Sequence, residues 1–269
     1  MNPNNITKTF IYVLNQSSVV NDTQVQQMVE ASNILLSAFV QEWPVGEVLV
    51  QFVPSTGGNV PAAMPTDHVW NFIVKDNADV QGALAYHTED AQDHVDGFIF
   101  AKTILDNGGT VLYAPRCNST VASALFHEIV EALVDPTCNA WWQSSDGTMY
   151  AAEVADPVES NIVSITLTGG TVVGLSDFIF PAWRDCLAPN RTGHVRYNYM
   201  DTLSRPFQLD KGGYVVKIDP EGNQSTIFGR SFPAWKKFFK VNYGRLARRF
   251  RDHGHANDYH SHHQIAFSS

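Results

Sequence analysis

In the stretch Ser119–Pro136, which reads STVASALFHEIVEALVDP, His127, Glu128 and Glu131 are spaced to act together. On a helix advancing about 100° per residue, His127 and Glu131 lie one turn apart on one face, with Glu128 beside them. Two carboxylates held that close among apolar residues repel each other and resist ionising, and a bound cation relieves both effects. An imidazole and a carboxylate at i and i+4 converge on one divalent ion. The glutamate next to the first ligand then takes a proton from a water that the ion activates. The commoner form of this pattern has histidine at both ligand positions, and Glu131 departs from it. One imidazole with two carboxylates is a harder ligand set, so zinc leads, with manganese and calcium as alternatives.

A second acidic segment follows one loop later. In MYAAEVADPVE, residues 149–159, Glu153, Asp156 and Glu159 recur every third position. If this segment returns across the helix, Glu153 or Asp156 provides the third ligand. The remaining carboxylate then orients His127 or a water. The bland alternative is a solvated acidic turn bent at Pro157. His87, at the end of GALAYH, reads either as a cleft-lining contact to substrate or transition state, or as a loop histidine making an ordinary hydrogen bond. Tyr150, Tyr197 and Tyr199 are candidate oxyanion donors, and nothing in the sequence selects among them.

These residues need elements to position them. Apolar residues cover most of the wheel around His127, so the spacing predicts a buried helix. Asn118 or Ser119 is its expected N-cap, and Asp135-Pro136 ends it. Thr9–Leu14 reads as a first strand. Asn21 or Asp22 opens an amphipathic helix to about Trp43, with Val25, Met28, Val29, Leu36, Phe39 and Val40 as its buried stripe. Val48–Val53, Val69–Val74 and Gly97–Leu105 read as strands, and Ile162–Leu167 with Thr171–Leu175 as a hairpin around Gly169-Gly170. The alternation is α+β in character.

With 269 residues the chain can bury one large core. There is no run of about 18 apolar residues that would cross a membrane, and no basic, small-residue leader that would mark a secretory signal. Three cysteines, Cys117, Cys138 and Cys186, suit a reducing compartment rather than a disulfide framework. The net charge of −9 is uneven. Residues 229–269 carry eight basic and two acidic side chains, a balance of +6, against −15 for the body. The expected organisation is therefore a domain over 1–228 and a tail over 229–269. In that tail Trp235, Phe239, Tyr243, Leu246 and Phe250 recur at helical spacing among Lys and Arg, and five histidines follow. A basic amphipathic tail of this kind suits nucleic acid, an acidic partner surface or a membrane face.

The blocks GALAYH, DGFIFAKTIL, HEIVEALVDPTCNAW, YAAEVADPVE and VVGLSDFIFPAW, over roughly residues 70–220, resemble a set of bacterial and phage proteins with a zincin-like metallopeptidase character. The paired His-Glu-x-x-Glu and Glu-x-x-Asp-x-x-Glu motifs are also similar to those of the plant phosphate-induced (Exordium-like) proteins. The resemblance implies a zincin-like fold, a mixed sheet packed on two main helices with a central metal-binding helix. It implies His127 and Glu131 as ligands, Glu128 as general base, and Glu153 or Asp156 completing the site. It offers GFIFAKTIL as the strand that pairs with an extended substrate. The expected activity is that of a metal-dependent hydrolase acting on peptide or protein. The alternative is a virion or other interaction protein that keeps the scaffold and docks its tail on partner subunits or nucleic acid. The corresponding locations are a bacterial host cytoplasm or a virion.

Overall fold

The computed structural model describes residues 8–54, 68–79, 83–90, 94–185 and 195–230. Strand β1 (Lys8–Asn15) puts Ile11 and Val13 into the core. Asn21 caps helix α1 (Asp22–Glu42): its side chain accepts from the Gln24 N–H, and the Gln24 side chain accepts from the Asn21 N–H. The helix buries Val25, Met28, Val29, Leu35, Leu36 and Phe39, worth roughly 1.5–3 kcal/mol for each large side chain. Strands β2 (Glu47–Val53) and β3 (His68–Lys75) pair in parallel with β1, one on each side. Strand β4 (Ala85–Glu89) is antiparallel to β5 (Val95–Phe100), which runs parallel to β3. The five-stranded order is β2-β1-β3-β5-β4, so β4 forms one edge.

The reading of Gly97–Leu105 as one strand available for substrate pairing is corrected on both counts. The strand stops at Phe100, and helix α2 (Ala101–Asp106) follows because the Asp76 carbonyl takes the N–H groups of Lys102 and Thr103. Strand β5 is also interior, flanked by β3 and β4. Phe72, Gly97 and His87 stand abreast across β3, β5 and β4. A Cβ at position 97 would lie 2.2 Å from the Phe72 ring, so only glycine fits this crossing.

Helix α3 (Val121–Val134) packs against β5, β4 and α1. Its N-cap is Thr120 rather than Asn118 or Ser119. Thr120 Oγ1 accepts the Ser123 N–H at 2.7 Å, and Ser123 Oγ accepts the Thr120 N–H at 2.8 Å. Thr120 is held there because it bridges to Thr110 and its hydroxyl donates to the Gly174 carbonyl. The helix ends where Asp135-Pro136 predicts, with the Asp135 N–H on the Glu131 carbonyl at 2.7 Å.

Beyond α3 come β6 (Trp141–Gln143), β7 (Met149–Ala151) and a 3-10 turn at Asp156–Val158. The expected hairpin is present as β8 (Ile162–Thr166) and β9 (Val172–Ser176), with β9 lying on α3. Strands β10 (Tyr214–Ile218) and β11 (Gln224–Phe228) join β7 and β6 in a four-stranded sheet of order β11-β10-β7-β6. The two halves share one core. At their junction the Trp43 ring stacks on Trp142 at 5.8 Å, and the Arg184 guanidinium lies over both indoles. Trp43 Nε1 donates to the Ile179 carbonyl at 2.9 Å.

The architecture is α+β. Among the described residues no helix is long and apolar enough to cross a membrane. The basic, aromatic and histidine-rich segment of the expected tail, residues 231–269, lies outside the described residues.

Candidate metal centre

Helix α3 is buried along all of its faces, with only Ala124 and Val134 partly exposed. It therefore carries His127, Glu128 and Glu131 into the interior. As the i, i+4 spacing requires, His127 Nε2 lies 3.1 Å from Glu131 Oε1. The acidic segment does return across the helix. The Asp135 carboxylate starts the return by accepting the N–H groups of Asn139 and Ala140, which tightens the turn after α3. Strand β7 then leads to the 3-10 turn at Asp156–Val158, and Asp156 Oδ1 lies 3.3 Å from His127 Nε2. Glu131 Oε1 accepts the N–H groups of Ala155 and Asp156 at 3.3 and 3.2 Å, pinning that turn to the helix.

The ligand atoms of His127, Glu131 and Asp156 all lie within 4.8 Å of one another. Asp156 Oδ1 is buried and accepts no hydrogen bond, although it faces the imidazole. A tetrahedral ion with ligands at about 2.0–2.1 Å sets its ligand atoms about 3.3–3.4 Å apart. The spacings of 3.1 and 3.3 Å are close to that edge. One imidazole and two carboxylates therefore fit a divalent ion in geometry as well as in donor type. Glu153 is 2% exposed and belongs to no such group, but its charge acts on Glu131. Glu159 is half-buried and faces the recess described below.

Burial pushes the Glu131 carboxyl up to about 8, and the charges of Asp156 and Glu153 add to the rise against the opposing His127. Burial alone would lower His127, yet Glu131 and Asp156 hold it well above the ordinary histidine value. The pair thus retains protons that solvated counterparts would release, and a divalent cation binding here would have to displace them.

His87 is not a cleft residue. It is fully buried behind Glu128. Its Nδ1 lies 3.0 Å from Glu128 Oε2, and its Nε2 lies 3.1 Å from both the Asp135 carbonyl and Cys138 Sγ. Burial lowers its proton affinity, but the neighbouring Cys138 and Glu128 outweigh that and raise it well above the usual value. His87, Glu128 and Glu131 also lie within ligand distance of each other. Both nitrogens of His87 are already engaged, so this second group is a hydrogen-bonded support rather than a ligand set.

Access comes from a small recess of about 30 Å³, lined by Leu84, Ala85, Ser123, His127, Glu128 and Glu159 among others. Of the tyrosines singled out from sequence, Tyr150 stacks on Phe207, Tyr199 stacks on Phe178, and Tyr197 packs against the hydrophobic core. The tyrosine that reaches the site is Tyr214 on β10, whose phenol hydrogen-bonds to the Asp156 side chain. Burial, then the charges of Asp156, Glu159 and Glu131, hold that phenol well above its usual range. The signal in the sequence was the Gly212-Gly213 pair before it, a mark of close backbone approach.

Comparison with protein-family models, with curated proteins and with solved structures gives no match to this chain.

Proposed function

We propose that this chain is a divalent-metal-dependent hydrolase of the peptidase type, built on a zincin-like scaffold. The observation that carries the reading is Asp156 Oδ1, buried, without a hydrogen bond, and set opposite His127 and Glu131 at ligand spacing. His127, Glu131 and Asp156 would hold the ion, zinc before manganese or calcium. When bound, it supplies Lewis acidity to a water and to the scissile carbonyl. Glu128, facing the recess, takes the proton from the attacking water and passes it to the leaving amine. His87 orients Glu128 through Oε2, and the Asp135 carbonyl fixes the His87 ring. Strand β4 is the sheet edge beside the recess, so an extended peptide can pair with it and bring a carbonyl over the centre.

Two measurements test this in sequence. Metal analysis of purified protein should find about one divalent ion per chain, and its absence removes the proposal. Glu128→Gln should keep the ion and lower hydrolysis of an unstructured peptide by roughly 10²–10⁴-fold.

A second reading is favoured by the small size of the recess, which suits an enclosed structural ion better than a large substrate. In it the scaffold belongs to a virion or other interaction protein, and the basic tail contacts partner subunits or nucleic acid. Stoichiometric metal with no hydrolysis by the wild-type protein would decide for this reading.

A further inference from the structure

Residues 210–214 form a strap pressed onto the turn that bears Asp156. The Asp210 N–H donates to the Pro157 carbonyl at 2.9 Å, and Ser160 Oγ donates to the Gly212 carbonyl at 3.3 Å. A Cβ at Gly213 would lie 2.0 Å from the Pro157 carbonyl oxygen and 3.0 Å from that of Asp156. Gly212 sits at φ +83, where other residues are strained, and a Cβ there would lie 2.2 Å from Ser160 Oγ. No side chain fits between strap and turn, which brings the first residue of β10 against the turn that bears Asp156. That residue is Tyr214, 6% exposed, its ring stacked on Phe228 at 6.1 Å.

We infer that Tyr214 is a positioning residue for the metal centre, its hydroxyl fixing the Asp156 carboxylate so that Oδ1 faces His127 Nε2. The phenol hydrogen-bonds to the Asp156 carboxylate, and Asp156 Oδ1 lies 3.3 Å from His127 Nε2, the orientation a shared cation would need. A carboxylate held by such a hydrogen bond loses freedom to turn away from His127. Hydrogen bonds of this kind set metal affinity, typically by 10–100-fold. The inference rests on the metal reading above. It goes beyond that reading by making the C-terminal sheet, distant in sequence from the helix motif, a determinant of affinity.

The test is zinc binding measured by competition with a chromogenic chelator, with the melting temperature of each metal-free protein as a check on folding. Tyr214→Phe keeps the ring stack on Phe228 and should bind zinc about 10–100-fold more weakly. In an Asp156→Asn background the same substitution should change zinc affinity no further. Phe228→Leu loosens the stack but keeps the hydroxyl, and should leave zinc affinity within about twofold of wild type. Equal affinity of Tyr214→Phe and wild type overturns the inference, as does an equal loss in Phe228→Leu. A wild type that binds no zinc fails earlier and overturns the metal reading itself.

Discussion

Glu131 joins the two halves of the site. One oxygen takes two backbone N–H groups from the returning turn, and the same carboxylate faces both imidazole clusters. Its raised proton affinity has a consequence for stability. Between the unfolded value of 4.5 and the folded value of about 8, the folded chain binds more protons at Glu131 than the unfolded chain does. Stability therefore falls as pH rises through that window. Asp177 acts in the same direction: burial lifts it from 3.8 to about 6 despite its bonds from Asn198, Asn161 and the N–H groups of Phe178 and Met200. That single group represents a loss on the order of 3 kcal/mol as pH rises from below 3.8 to above 6. His127 and His87, also raised, contribute stability below their unfolded value that is lost on passing their folded values. Chelator-treated protein should thus have a lower urea midpoint at pH 8 than at pH 5, and added zinc should restore it at pH 8, where ligation replaces protons. A midpoint that is level or rises toward pH 8 would refute this assignment of charge states.

At the scale of elements, the centre depends on how closely β5 lets its neighbours approach. Because Gly97 has no side chain, the Phe72 ring lies over the strand while His87, directly across on β4, reaches Glu128. Gly97→Ala would force the Phe72 ring aside and should destabilise the fold by about 1–3 kcal/mol, read from urea unfolding. Because His87 shares the strand pair, on the proposed hydrolase reading the same variant should lose more activity than a surface substitution of equal stability cost. An unchanged midpoint would show that the sheet relaxes more easily than this packing implies. The elements were largely legible in the sequence. Asn21, Asp135-Pro136 and Gly169-Gly170 are local signals, and local hydrogen bonding determined where those elements begin, end and turn. Two boundaries were not legible because distant groups set them. The Asp76 carbonyl turns Ala101–Asp106 into helix, and the Gly174 carbonyl and the Thr110 bridge place the α3 cap at Thr120.

Across the whole molecule the same division holds for the site. His127, Glu128 and Glu131 share one helix, so their spacing exposes their relation. That Asp156 comes within 3.3 Å of His127 depends on the Asp135-anchored return of the chain, which spacing alone leaves open. His87 meets Glu128 across 41 positions, and no periodicity links them. Tyr214 arrives from the far sheet, announced only by two glycines. The junction between these halves also carries a spectroscopic handle. Trp43 ends α1 and Trp142 lies on β6, yet their indoles stack with planes only 20° apart. Two chromophores this close couple their transitions, so the folded protein should give a paired positive and negative band in circular dichroism that neither indole gives alone. Trp142 also meets Trp183 at 6.1 Å, so Trp43→Phe is the variant that should remove this pair's contribution while leaving the far-ultraviolet spectrum intact. An unchanged couplet would place the coupling at Trp142 and Trp183. Because each partner belongs to a different half of the chain, the amplitude of that couplet is an optical gauge of whether the halves are joined, readable without any ligand.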